Sequence, residues 1–117
     1  MLVEDNEDLA ELWKKYFSMS GFQSVAFTDG ELALNALQEQ EFAAVVCDYV
    51  LPDISGLEVL RRIRERDPAM PFVLITGMRK DEIAEQVKKA GMASLILKPV
   101  TFIDLLNEVK RLATQEA

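Results

Sequence analysis

Phe42-Ala43-Ala44-Val45-Val46-Cys47-Asp48 decides the fold: six apolar residues in a row, closed by a carboxylate. A strand with one face in water alternates apolar and polar side chains, whereas an unbroken apolar run fits a strand covered on both faces, as in a parallel sheet. Downstream, a loop with Pro52 and Gly56 leads to a helix predicted from about Gly56 to Arg66, ended by Asp67-Pro68. Pro71 to Ile75 is a further strand, closing on Thr76-Gly77, and Asp81 to Ala90 a helix stopped by Gly91. Ser94 to Leu97 is a short strand before Lys98-Pro99, and Thr101 is placed to cap a last helix bearing Phe102, Leu105, Leu106, Val109 and Leu112. Upstream, Glu31 to Gln38 fits a helix with Leu32, Leu34 and Leu37 partly inward, preceded by a turn at Thr28-Asp29-Gly30 and a strand from Phe22 to Phe27. Asn6 can cap a first helix running to about Ser20, with Leu9, Leu12, Trp13, Tyr16 and Phe17 at helical spacing. Met1-Leu2-Val3 is the stub of a first strand, ending at Glu4-Asp5.

Five strands alternating with five helices imply an α/β fold, a parallel sheet with helices on both faces. Ligands of such sheets gather beyond the carboxyl ends of the strands. Those ends carry Glu4 and Asp5 after the first strand, Asp48 after the third, Thr76 after the fourth and Lys98 after the fifth. Three carboxylates at one rim repel each other, and a hard divalent cation with oxygen ligands, of which Mg2+ is the best fit, relieves that repulsion. A lysine and a hydroxyl beside them suit phosphate oxygens. Such a site lets an Asp carboxylate attack a phosphoryl group and hold it as an aspartyl phosphate, with the cation, Lys98 and Thr76 taking up charge on the transferred oxygens. An ionised carboxylate needs no general base.

Composition agrees and excludes alternatives. The 117 residues contain no histidine, which removes the usual general base and the commonest zinc ligand. A net charge of −7 disfavours binding to nucleic-acid backbones. Half the residues are hydrophobic, enough for one core, so a single domain over 1–117 is expected. No apolar stretch approaches the ~20 residues that span a bilayer. The one cysteine, Cys47, reads as a small core residue, and an unpaired thiol fits a cytoplasmic location. Trp13, Tyr16 and Phe17 read as core, and Arg61, Arg62, Arg64 and Arg66 as a solvated helix face balanced by Glu58, Glu65 and Asp67.

Four stretches, in order and at the right strand ends, resemble the receiver domains of response regulators in two-component signalling. They are Val3-Glu4-Asp5-Asn6, the loop Asp48-Tyr49-Val50-Leu51-Pro52-Asp53-Ile54-Ser55-Gly56 with its D-x-x-L-P-x-x-x-G pattern, Thr76-Gly77, and Gly91 through Leu97 with Lys98-Pro99. The resemblance implies a doubly wound, flavodoxin-like (βα)5 sheet of strand order 2-1-3-4-5. It implies Asp48 as phosphoacceptor, and Mg2+ held by Glu4, Asp5, Asp48 and the Val50 carbonyl. Lys98 would pair with the phosphoryl group, Thr76 would swing toward it, Gly77 would leave room for the donor, and the Lys98-Pro99 bond would be cis. The implied partners are a sensor histidine kinase or a histidine phosphotransfer domain, docking where Asn6, Leu9 and Pro99-Val100-Thr101 flank the site; the competing reading of Leu9 is that it packs inward. A homodimer formed on phosphorylation is a further option that the family offers.

One position departs from the pattern. Leu95 stands where the family usually has a ring three residues before the lysine, so ring burial cannot be the readout of switching. Val50 and Met78 bring no polar group to orient water, so slow self-dephosphorylation is expected. The short first strand suggests a domain excised from a larger protein, and its opening run resembles receivers attached to hybrid sensor kinases. Two other functions compete: a pseudo-receiver that keeps the fold as an interaction module without phosphorylation, and an unrelated enzyme of this architecture. Against the enzyme, no Gly-rich phosphate loop follows the first strand, and Val50 occupies the place where an aspartyl-phosphate phosphohydrolase would have a second Asp.

Overall fold

Each apolar run becomes a strand and each amphipathic segment a helix. The structure, a computed structural model, describes residues 1–114; of the domain expected over 1–117, residues 115–117 lie outside the described residues. In chain order the elements are β1 (Leu2–Val3), α1 (Glu7–Met19), β2 (Ala26–Phe27), α2 (Gly30–Glu39), β3 (Val45–Asp48), α3 (Gly56–Arg66), β4 (Phe72–Thr76), α4 (Lys80–Ala90), β5 (Ser94–Leu97) and α5 (Phe102–Thr114). The strands form one parallel sheet in the order β2-β1-β3-β4-β5, the expected doubly wound topology. Among the described residues, no helix is long and apolar enough to cross a membrane.

Successive strand residues face opposite sides, so each strand feeds two cores. Phe72 and Leu74 of β4, with Val45 and Cys47 of β3, pack against Ala33 and Ala36 of α2, Val59, Leu60 and Ile63 of α3, and Ile83 and Val87 of α4. Val73 and Ile75, with Val46, pack on the other side against Trp13 and Phe17 of α1 and Leu105, Leu106 and Val109 of α5. This double burial explains why β3 and β4 show no alternation in sequence. Cys47 is fully buried, as a small core residue should be.

Helix boundaries follow side-chain chemistry. Asn6 caps α1 by accepting the Leu9 amide at 3.0 Å, Ser55 caps α3 through the Glu58 amide at 3.1 Å, and Thr101 accepts the Asp104 amide at 3.3 Å. Asp29, expected in a plain turn, is the cap of α2 and accepts the Leu32 amide at 2.8 Å. Gly91 ends α4 at φ 123°, and a Cβ there would lie 2.6 Å from Cγ of Arg64, so this position requires glycine twice over.

Several sequence expectations need correction. The second strand is Ala26–Phe27 rather than Phe22 to Phe27, because β2 pairs only along Leu2 and Val3 of β1. Phe22 instead sets its ring edge-on to Phe17, with centroids 6.0 Å apart. The third strand likewise starts at Val45, not Phe42. In α2 the inward face is small, Gly30, Ala33 and Ala36, which turns Leu32 outward to 51% exposure. Tyr16 is exposed at the edge of the core, its ring tilted on Phe102, whereas Trp13 and Phe17 are buried. Leu9 is half-buried and packs against the α1–α5 core. In the basic run, Arg61 and Arg62 pair with Glu58, Glu65 and Glu31 on the surface. Arg64 is not part of a solvated face: its guanidinium donates to the carbonyls of Gly91, Met92 and Asp67, tying α3 to the turn after α4.

Candidate functional site

Strand register assembles the site. Val3 lies opposite Cys47, which brings Glu4, the next residue, beside Asp48 at the end of β3. Asp48 pairs with Ile75 and Thr76 with Leu97, so β4 and β5 deliver Thr76 and Lys98 to the same rim. Two backbone bonds lock that rim: Tyr49 N–H donates to the Ile75 carbonyl and Lys98 N–H to the Thr76 carbonyl, both at 2.8 Å.

The carboxylates of Glu4, Asp5 and Asp48 each offer an oxygen within 4.8 Å of the others. Glu4 and Asp48 are buried, at 3% and 5% exposure, while Asp5 is exposed. One Glu4 oxygen accepts the Asn6 amide at 3.0 Å. Burial is the largest influence on the Glu4 carboxyl and, with the nearby Asp48 charge, outweighs the lowering pull of the Asn6 amide, pushing its pKa up to about 7. Lys98 Nζ lies 3.2 Å from one Asp48 oxygen, and the Val50 amide donates to the other at 3.3 Å. With all three carboxylates ionised, Lys98 offsets only one of their charges. The surplus, presented entirely by hard oxygens on a partly open rim, fits a small divalent cation of the magnesium type.

Thr76 is buried, and its hydroxyl oxygen accepts the Met78 amide at 3.0 Å. Gly77 is exposed, and a Cβ there would meet only the Lys98 side chain, at 4.0 Å, so the space over the lysine is open. Val50 turns its side chain to solvent at 65% exposure. Leu95 lies apart from the carboxylates, opposite Leu74 in the strand register, and packs half-buried on the α2–α4 core. The Lys98–Pro99 peptide bond is cis.

Two features of the loop after Asp48 were not evident beforehand. Gly56 is held against the site: its amide donates to the Tyr49 carbonyl at 2.8 Å, and a Cβ would come within 2.3 Å of the Asp48 carbonyl oxygen. Asp53 reaches across to α2, its two oxygens accepting the Gly30 and Glu31 amides at 2.9 and 2.8 Å. The D-x-x-L-P-x-x-x-G pattern contains both residues, but a bond spanning more than twenty positions leaves no local signal. The nearest hint was Asp29-Gly30, which marks a helix start as well as a turn.

Comparisons with known proteins bear on the family and the fold. The family model described as the response regulator receiver domain matches residues 1–110. The chain is 30% identical over 112 residues to the response regulator receiver protein CpdR of Brucella abortus, covering 96% of this chain and 93% of that one. It is 31% identical to the uncharacterized transcriptional regulatory protein YkoG of Bacillus subtilis, where it covers 94% of this chain but spans only 48% of the relative. Among solved structures, a CheY-like response regulator receiver domain protein from Methanospirillum hungatei superposes with a TM-score of 0.89 at 27% identity, over 98% of this chain and 93% of that one.

Proposed function

The chain belongs to the response regulator receiver domain family, and from that premise we propose that it is a working phosphoacceptor whose nucleophile is Asp48. The observation that carries this reading is the meeting of three carboxylates and Lys98 at one rim. The unit proposed is a single receiver over 1–117, acting in the cytoplasm. Its donor would be a phosphohistidine on a sensor histidine kinase or on a histidine phosphotransfer domain.

In the step proposed, an Asp48 oxygen attacks phosphorus. The new O–P bond forms as the P–N bond of the phosphohistidine breaks and its electron pair leaves with the imidazole. Glu4, Asp5, Asp48 and the Val50 carbonyl would hold Mg2+. When bound, this ion supplies charge balance for the carboxylates and for the transferred oxygens. Lys98, on a long and half-exposed side chain, moves from Asp48 to the phosphoryl group and neutralises part of its charge. Gly77 keeps the approach over Lys98 clear of side chains. Thr76 gives up the Met78 amide and turns its hydroxyl to the phosphoryl oxygens. Leu95 follows without a ring to bury. That substitution is the one feature favouring a pseudo-receiver, an interaction module that ignores phosphorylation.

Phosphoramidate separates the two readings, since its P–N bond matches that of phosphohistidine. A phosphoprotein formed with Mg2+ and cleaved by hydroxylamine is an acyl phosphate and supports Asp48. A hydroxylamine-resistant product would be an ester on a hydroxyl such as Thr76. No product from folded protein favours the pseudo-receiver.

A further inference from the structure

The loop from Tyr49 to Ser55 follows Asp48 directly and contains Val50, yet has no strand or helix of its own. Its base is closed by the Gly56 amide on the Tyr49 carbonyl. Farther along, two side chains grip α2. Asp53 spends both carboxylate oxygens on the Gly30 and Glu31 amides, at 2.9 and 2.8 Å, groups that a helix start cannot satisfy within itself. Ile54 packs against Gly30 so closely that a Cβ there would lie 2.6 Å from Ile54 Cγ1. Asp53 is itself exposed and belongs to neither core, so its bonds act on the loop and on α2 rather than on the sheet.

We propose that Asp53 is a positioning residue for phosphoryl acceptance: it latches the loop after Asp48 to the start of α2 and so fixes Val50 and the Asp48 backbone for metal binding and attack. This rests on the receiver reading above. Because coupling is reciprocal, a cation that orders the loop also tightens the latch at Gly30 and Glu31.

The test compares wild type, Asp53→Ala and Asp53→Asn by amide hydrogen exchange and by Mg2+ titration followed on amide shifts. In metal-free protein, Asp53→Ala should lose protection at Val50 and Gly56, three residues to either side of the change, as well as at Gly30 and Glu31. Its Mg2+ affinity should fall about tenfold, as for other residues that orient metal ligands without touching the metal. Asp53→Asn, with one acceptor oxygen left, should fall between. In wild type, Mg2+ should slow exchange at Gly30 and Glu31. Unchanged protection at Val50 and Gly56 in Asp53→Ala, or wild-type Mg2+ affinity in that variant, would reduce Asp53 to a helix cap and overturn the proposal. Failure of the receiver reading shows differently: wild type itself would bind no Mg2+ and take no phosphoryl group, while the metal-free exchange still decides whether the latch exists.

Discussion

Glu4 carries a carboxyl enclosed beside Asp48, and its titration is the most direct electrical signature of the site. Burial, reinforced by Asp48, lifts its pKa from 4.5 to about 7. The folded state thus holds this proton more tightly than the unfolded chain does. The stability Glu4 contributes is fully present below its unfolded value and is lost as pH rises through its folded one. The buried Met1 amino group, lowered to about 6, acts in the opposite sense over the same range, so the Glu4 contribution is the difference between two proteins. Relative to Glu4→Gln, metal-free wild type should lose urea resistance between about pH 5.5 and about pH 8, and Mg2+ should restore it at the higher pH. A wild-type pH dependence identical to that of Glu4→Gln would contradict this. Gly56 makes a steric counterpart. A methyl at this position meets the Asp48 carbonyl oxygen at 2.3 Å, a backbone atom that can yield only by moving Asp48, the proposed nucleophile. Gly56→Ala should destabilise by about 3 kcal/mol in urea unfolding, and phosphorylation should slow in whatever protein remains folded. At this scale the sequence exposed the identities of the acids, Lys98 and Thr76, because they stand at strand ends. The raised Glu4 pKa and the Asp53 latch were hidden, since both arise from neighbours distant in the chain.

At the scale of elements, β4 and β5 link the site to the core beneath α4. Thr76 and Leu95 lie on adjacent strands, and Leu95 packs toward the α2–α4 core that holds Ile83 and Val87. An aliphatic side chain already half-buried gains little by moving farther in, so the two states of the proposed switch would differ by fewer contacts there than a swinging ring would provide. Beryllium fluoride, a mimic of the acyl phosphate, should shift the amides of Thr76 to Met78 and Lys98 while leaving most of α4 in place. Large shifts along the whole of α4 would show that transmission does not depend on the residue at position 95. Element limits were legible where chemistry marks them: α3 from Gly56 up to Asp67, and α4 up to Gly91. They were least legible at β2, whose length follows from its partner β1 and not from its own apolar run. Arg64 belongs with these hidden features, because binding three backbone carbonyls leaves no trace in a charge pattern.

For the whole molecule, one arrangement governs everything else: parallel strands in the order β2-β1-β3-β4-β5 put every strand's carboxyl end on one side. That arrangement turns four separated stretches of sequence into one site, and it was readable because β3 and β4 are apolar up to their last residues, Asp48 and Thr76, as strands covered on both faces must be. The net charge of −7 disfavours nucleic-acid backbones, and an acidic rim favours a cation. The measurement that bears most directly on the phosphoacceptor reading is intact mass after incubation with acetyl phosphate, for wild type and Asp48→Asn, with and without Mg2+. The expected result is one added phosphoryl group on wild type only in the presence of Mg2+, and none on Asp48→Asn. An equal adduct on Asp48→Asn would contradict it by placing the phosphoryl group elsewhere.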